Sequence, residues 1–143
     1  MTSEDNLDTL VFWATSKGYH VEFTKGVDSC ICHITKIIEI NASVSMDNQV
    51  IHLLHECGHA LIFDNGSVFN FKGKKNYDLE TQNDGDRIYT VIEEAEAWRR
   101  GRELAKRLKI EVDEDVWEGS MIDALKEYIN WASGKKRKKC KQK

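Results

Sequence analysis

Five consecutive residues, His55-Glu56-Cys57-Gly58-His59, constrain this chain more than any other stretch. Val50-Ile51-His52-Leu53-Leu54 before them and Ala60-Leu61-Ile62-Phe63 after them predict a helix. Ser45 or Asp47 would cap it, and Asp64-Asn65-Gly66 would stop it. Residues four apart on a helix stand one above the other on the same face. Two imidazoles placed that way can both reach one metal ion at about 2.0–2.1 Å. Glu56 is not needed as a ligand, and its position suits a base that deprotonates a water at the metal.

The rest of the chain predicts an α+β fold around that helix. Leu7, Leu10, Val11 and Ala14 have helical spacing within residues 4–17, with Ser3 as N-cap and Gly18 just past the end. Three short β-like runs follow: His20–Thr24, Ser29–Ile34 and Lys36–Asn41, with Gly26 and Asp28 marking a turn. Strands this close together predict a small antiparallel meander. After the motif helix, residues 65–85 are rich in Gly, Asn, Asp and Lys and read as a long functional or mobile loop. Helices over about Asp86–Leu108 and Asp113–Ala132 complete a single expected domain, 1–134.

Charge is distributed unevenly. Seven of the 21 basic residues lie in 135–143, leaving 14 against 24 acids, so the body carries about −10. That segment reads as a disordered basic tail. Nucleic-acid contact is conceivable there, but no interleaved aromatic side chains offer a stacking platform for bases. No run approaches the 18 or so apolar residues of a membrane span, and the acidic start lacks signal-peptide design, so a cytoplasmic, membrane-free chain is expected. In that setting Cys30, Cys32, Cys57 and Cys140 are expected as thiols. Cys30 and Cys32 would share one strand face opposite Ile31 and read as small core residues. Cys57, about 200° around the helix from His55, would point into the core.

Two histidines leave a metal site incomplete, because a catalytic site usually has three protein ligands and one open position. Glu93, Glu94 and Glu96 are the downstream options. The helical neighbours of Glu94 are Thr90, Val91, Ala97 and Trp98, with Gly101 two turns on, a largely apolar stripe. Glu93 and Glu96 neighbour Arg99 or Arg100 and read as a solvated face. A carboxylate on an apolar face needs compensation, from a cation or from an arginine. Glu94 therefore ranks first and Glu93 second. Gly58 and Gly101 each cost about 1 kcal/mol of helix propensity against alanine, which makes sense where elements approach closely near the site.

His55-Glu56-Cys57-Gly58-His59-Ala60-Leu61 followed by Glu94-Ala95-Glu96-Ala97 resembles the ImmA/IrrE family of zincin-like metallopeptidases. The resemblance spans roughly residues 5–108, and about a dozen positions carry it. It implies zinc bound by His55, His59 and Glu94, with Glu56 as general base. It also implies a zincin-like fold in which the motif helix packs on the glutamate-bearing helix. Trp98 and Arg100 stand where the family often has asparagine and an aromatic residue. The chain looks most like short phage-borne or mobile-element members, which implies a protein substrate such as a phage or mobile-element regulator.

The expected activity is zinc-dependent endopeptidase cleavage. The substrate peptide would align as an added strand at the edge of the 20–41 sheet. A donor must also stabilise the developing oxyanion, and Tyr89, His52 and His33 are the candidates. His52 otherwise reads as a surface histidine, and Asp64 either orients a ligand or simply ends its helix. Two other readings remain open. One is a SprT-like protease acting on DNA-bound proteins. The other is a zinc-binding regulatory module without catalysis.

Overall fold

The first helix begins where two side chains can cap each other. In the computed structural model, which describes residues 2–64 and 83–134, α1 spans Ser3–Ser16. Its N-cap is Thr2, one residue before the expected Ser3. The Asp5 backbone N–H donates to Thr2 Oγ1 at 3.1 Å, and Thr2 N–H donates to the Asp5 carboxylate at 3.0 Å. This reciprocal box needs an acidic or amide side chain three residues on. Asp5 holds that position for Thr2, whereas Asn6, three residues after Ser3, is buried. The Ser3 hydroxyl instead donates to Asp47. At the far end Gly18 takes φ 91°, left-handed as expected.

The sheet departs from the expected meander. β1 (His20–Thr24), β2 (Cys30–Cys32) and β3 (Ile37–Asn41) lie in the order β1-β3-β2. β2 and β3 are antiparallel, with Cys30 opposite Glu39 and Cys32 opposite Ile37. β1 is parallel to β3, from His20 beside Ile37 to Thr24 beside Asn41. The sheet is therefore mixed rather than antiparallel, for reasons of length and connection. β1 and β3 are both five residues long and can pair fully, whereas β2 has three. A parallel pair needs a crossover of about a dozen residues. Residues 25–36, with β2 inside them, provide it. The tight turn into β3 places Lys36 at φ 60°.

Ile31, Ile38 and Ile40 point from the sheet into the core, while Cys30 and Cys32 share the other face. The two cysteines are thus half-buried rather than core residues, because Ile31 takes the inward position on that short strand. Cys57 is fully buried, as expected of its position on the motif helix.

α2 (Met46–Asp64) carries the motif and is capped by Ser45, whose Oγ accepts the Asn48 N–H at 3.2 Å. Leu53, Cys57 and Ala60 are buried on one side of it, and Ile51, Gly58 and Ile62 on the other. A helix apolar most of the way round belongs inside a fold. α2 packs against α1 and the sheet on one side and against α3 (Asp84–Arg107) on the other. Asn83 and Asp86 form a second capping box at the start of α3. α4 (Glu114–Ala132), capped by Asp113, is anchored by the buried Trp117. The rest of its apolar stripe is looser: Val116, Ile122 and Ile129 are exposed. Most of the 65–85 loop (residues 65–82) and the 135–143 tail lie outside the described residues.

Two glycines bring α2 and α3 into backbone contact. A Cβ on Gly58 would lie 2.0 Å from the Ala97 carbonyl oxygen. A Cβ on Gly101 would lie 2.5 Å from the Leu54 carbonyl oxygen. Neither obstacle is a side chain that can rotate away. Gly58→Ala should therefore destabilise the fold by about 3 kcal/mol despite its gain in helix propensity. Gly119→Ala, with nothing within 4 Å of the new Cβ, should stabilise it by about 0.5–1 kcal/mol. Urea unfolding of the two variants checks this, and a Gly58→Ala midpoint equal to wild type would contradict the close helix contact.

Candidate metal centre

His55 and His59 lie one turn apart on α2, and the adjacent α3 supplies Glu94 across the glycine contact. His55 Nε2 is 3.2 Å from Glu94 Oε1, and His59 Nε2 is 3.0 Å from Glu94 Oε2. Each carboxylate oxygen thus serves one imidazole. Both histidine side chains are 13% exposed, and Glu94 is buried. Among the described residues, this is the one group of three or more His, Cys, Asp or Glu side chains with converging ligand atoms, all within 4.8 Å of one another. This group can hold a metal ion. Tetrahedral coordination with bonds of about 2.0–2.1 Å spaces ligand atoms about 3.3 Å apart. The two imidazole–carboxylate separations are close to that spacing.

The electrostatics of the group favour positive charge. Burial works against a charge on His55, but Glu56 and then Glu94 outweigh it and push its pKa up to about 10. Burial works to raise the Glu94 pKa, yet His59 and His55 hold it well below the usual carboxylate range. Positive charge is therefore favoured beside a carboxylate that stays ionised. A divalent ion would supply the same charge with the imidazoles neutral.

Glu56 is also buried, and its Oε2 lies 3.4 Å from His55 Nδ1. It therefore contacts the ring atom opposite the one facing Glu94. Trp98 packs on His55 with ring centroids 4.3 Å apart and planes 15° from parallel, and meets Trp117 edge-on at 5.0 Å. This stack fixes the plane of the His55 ring. The sequence places Trp98 four residues after Glu94 on the same stripe, but gives no sign that its ring faces a ligand.

The other downstream acids are employed differently. Glu96 accepts from Arg99 at 2.9 and 2.7 Å and from Arg100 at 2.8 Å. The nearby arginines are therefore paired with Glu96, and the arginine alternative for Glu94 gives way to the histidine pair. Glu93 is half-buried.

The remaining histidines fall into two kinds. His20 is exposed, with its Nε2 3.5 Å from the Glu22 carboxylate. His52, expected at the surface, is half-buried, with Nδ1 2.7 Å from the Ser29 hydroxyl, and burial lowers its pKa. Ser29 is held in turn by accepting the Asn41 N–H at 2.9 Å. His33 follows β2 and stacks on Phe63 at 4.3 Å, with Nδ1 2.9 Å from the Tyr19 hydroxyl. These two contacts run β2 alongside α2 in the same direction, past Glu56 and His59. Sequence reasoning missed Tyr19 and Ser29, since each acts on a histidine 14 or 23 residues away. Asp64 is the exposed last residue of α2.

Comparison of the chain with protein-family models, curated proteins and solved structures finds no match. Among the described residues, no helix is long and apolar enough to cross a membrane.

Equilibrium dialysis against Zn²⁺ or Co²⁺ should give one ion per chain, the count for a single three-ligand site. His55→Ala and Glu94→Ala should lose it, while Glu93→Ala should retain it. Full metal content in Glu94→Ala would remove Glu94 from the ligand set.

Proposed function

We propose that this chain is a zinc-dependent metalloendopeptidase of the ImmA/IrrE type. The observation that carries the reading is the convergence of His55, His59 and buried Glu94, with a second buried acid, Glu56, beside the ligands but outside the set. Glu56 reaches His55 Nδ1, a contact that a storage site would share, so the catalytic reading rests also on the H-E-x-x-H spacing, which sets an acid directly after the first ligand. A zinc ion held by His55, His59 and Glu94 would supply Lewis-acid polarisation of a carbonyl and would bring the pKa of water toward about 7.

The chain's own residues then have distinct tasks. His55, His59 and Glu94 hold the ion. Glu56 accepts a proton from the attacking water and delivers it to the departing amine. Trp98 keeps the His55 ring from turning. A substrate segment lies along the wall formed by β2, which runs beside the motif helix. The substrate class is an extended stretch of protein, and the family resemblance suggests a phage or mobile-element regulator.

Glu56→Gln tests the reading because it preserves shape and removes the base. The variant should keep its zinc and lose roughly 10²–10⁴-fold in the rate of cleavage of unfolded casein. Unchanged cleavage in zinc-loaded Glu56→Gln would rule out this mechanism. Zinc binding without hydrolysis in the wild type would favour the non-catalytic metal module.

A further inference from the structure

We propose that His33 is a further catalytic residue, donating a hydrogen bond from Nε2 to the oxyanion that forms at the scissile carbonyl, and that Tyr19 is its positioning residue. The proposal rests on the metallopeptidase reading and deepens it.

The first argument is placement. An oxyanion donor must reach the reacting carbonyl at a point that the metal ligands and the base do not themselves occupy. His55, Glu56 and His59 all project from α2, so the donor should come from another element. His33 belongs to the segment between β2 and β3. It is held to α2 by its stack on Phe63, four residues past His59. Positions four apart on a helix are near neighbours, about 5–6 Å between Cβ atoms. His33 is also close enough to His59, Glu56 and Glu93 for their charges to act on it. It thus stands near a metal ligand and the base together.

The other candidates fit less well. His52 lies on α2 itself, on the side of the motif away from Phe63. Tyr89 lies five residues before Glu94 on α3, about 140° around the helix.

The second argument is protonation. Tyr19 is 2% exposed, and its hydroxyl lies 2.9 Å from His33 Nδ1. Burial, then the charges of Asp64 and Cys32, push the Tyr19 pKa up to about 12, so the phenol keeps its proton. A buried O–H needs an acceptor, and among the described residues Nδ1 is the one in reach. The bond therefore runs from Tyr19 O–H to His33 Nδ1, which places the ring proton of a neutral imidazole on Nε2.

Neutrality follows from the surroundings. Burial, then His59 and Lys36, bring the His33 pKa down to about 4, against smaller opposite effects of Glu56 and Glu93. The Lys36 ammonium lies 4.6 Å from the Tyr19 ring centre and 5.1 Å from that of Phe63. A neutral donor with a fixed tautomer has nothing to rearrange as charge develops on the substrate oxygen. Tyr19, Lys36 and Phe63 together hold His33 in one orientation and one protonation state.

The test uses the full chain loaded with zinc and a fluorogenic peptide built on a casein site that the wild type cleaves. His33→Phe should keep one zinc and the wild-type far-UV spectrum while kcat falls about 10²–10³-fold. KM should move less than about threefold, because the contact forms in the transition state. His33→Gln, whose amide can accept from Tyr19 and still donate, should recover part of the rate and covers the case in which His33→Phe folds poorly.

Two readouts need no turnover. Calorimetric titration with a peptidyl phosphonamidate, a tetrahedral anion shaped like the transition state, should show affinity reduced about 10²-fold in His33→Phe. Imidazole ¹⁵N spectra should show His33 as the Nε2–H tautomer in the wild type and as a tautomer mixture in Tyr19→Phe. The latter variant should lose about tenfold in kcat.

Wild-type kcat and phosphonamidate affinity in zinc-loaded His33→Phe would overturn the His33 assignment and leave the peptidase reading standing. A zinc-loaded wild type that neither cleaves casein nor binds the phosphonamidate overturns the peptidase reading and this assignment with it.

Discussion

The structure depends on a contact between two backbones. Helices normally pack with axes about 8–10 Å apart, a distance set by the side chains between them. Gly58 and Gly101 remove those side chains where α2 crosses α3, and each glycine sits against a carbonyl of the opposite helix. Glu94 lies two turns before Gly101 on α3, close enough for its short side chain to reach both histidines. A wider crossing would leave that carboxylate buried and without partners, an arrangement costly enough to disfavour the fold.

Burial and charge reinforce each other around this crossing. Among the described residues, the buried acids are Glu56 and Glu94, and both belong to the site. The other acids near the ligands either face arginines, as Glu96 does, or are only half-buried. Apolar packing surrounds the pair: Trp98 against His55, Trp117 behind Trp98, and Leu53, Leu54 and Cys57 within α2. Interactions between charges strengthen in such surroundings. The fold thus concentrates its unfavourable buried charge in one place, where a cation could offset it.

The parts of this arrangement that were legible in the sequence are those written at helical spacing. His55 and His59 four apart, Glu94 on an apolar stripe and two glycines in otherwise sound helices together predicted that the three side chains would meet and that the helices would approach closely. Partnerships between distant segments were not legible. Nothing in His20–Thr24 says that it pairs with β3 rather than β2, because that choice depends on strand length and on the path of residues 25–36. Thr2 displaced Ser3 as the cap through the reciprocal bond with Asp5. His33 and His52 carried no sign of Tyr19 or Ser29, since hydrogen bonds between separate segments leave no periodic trace. The inward position of Ile31 decided the fate of Cys30 and Cys32, and a three-residue strand is too short for its pattern to announce which face is buried.

If the His55–His59–Glu94 group takes up an ion, its origin on two helices also links metal supply to the amount of folded protein. α2 with α3 undocked offers only two imidazoles one turn apart, so an ion binds tightly only to the docked pair. Any ligand selective for the folded form shifts the folding equilibrium by mass action. At a free concentration a hundredfold above the dissociation constant, the gain is about 2.7 kcal/mol. That is a sizeable share of the marginal stability of a domain this small. Scarcity of such an ion would then enlarge the unfolded fraction open to degradation, so that abundance would follow metal availability.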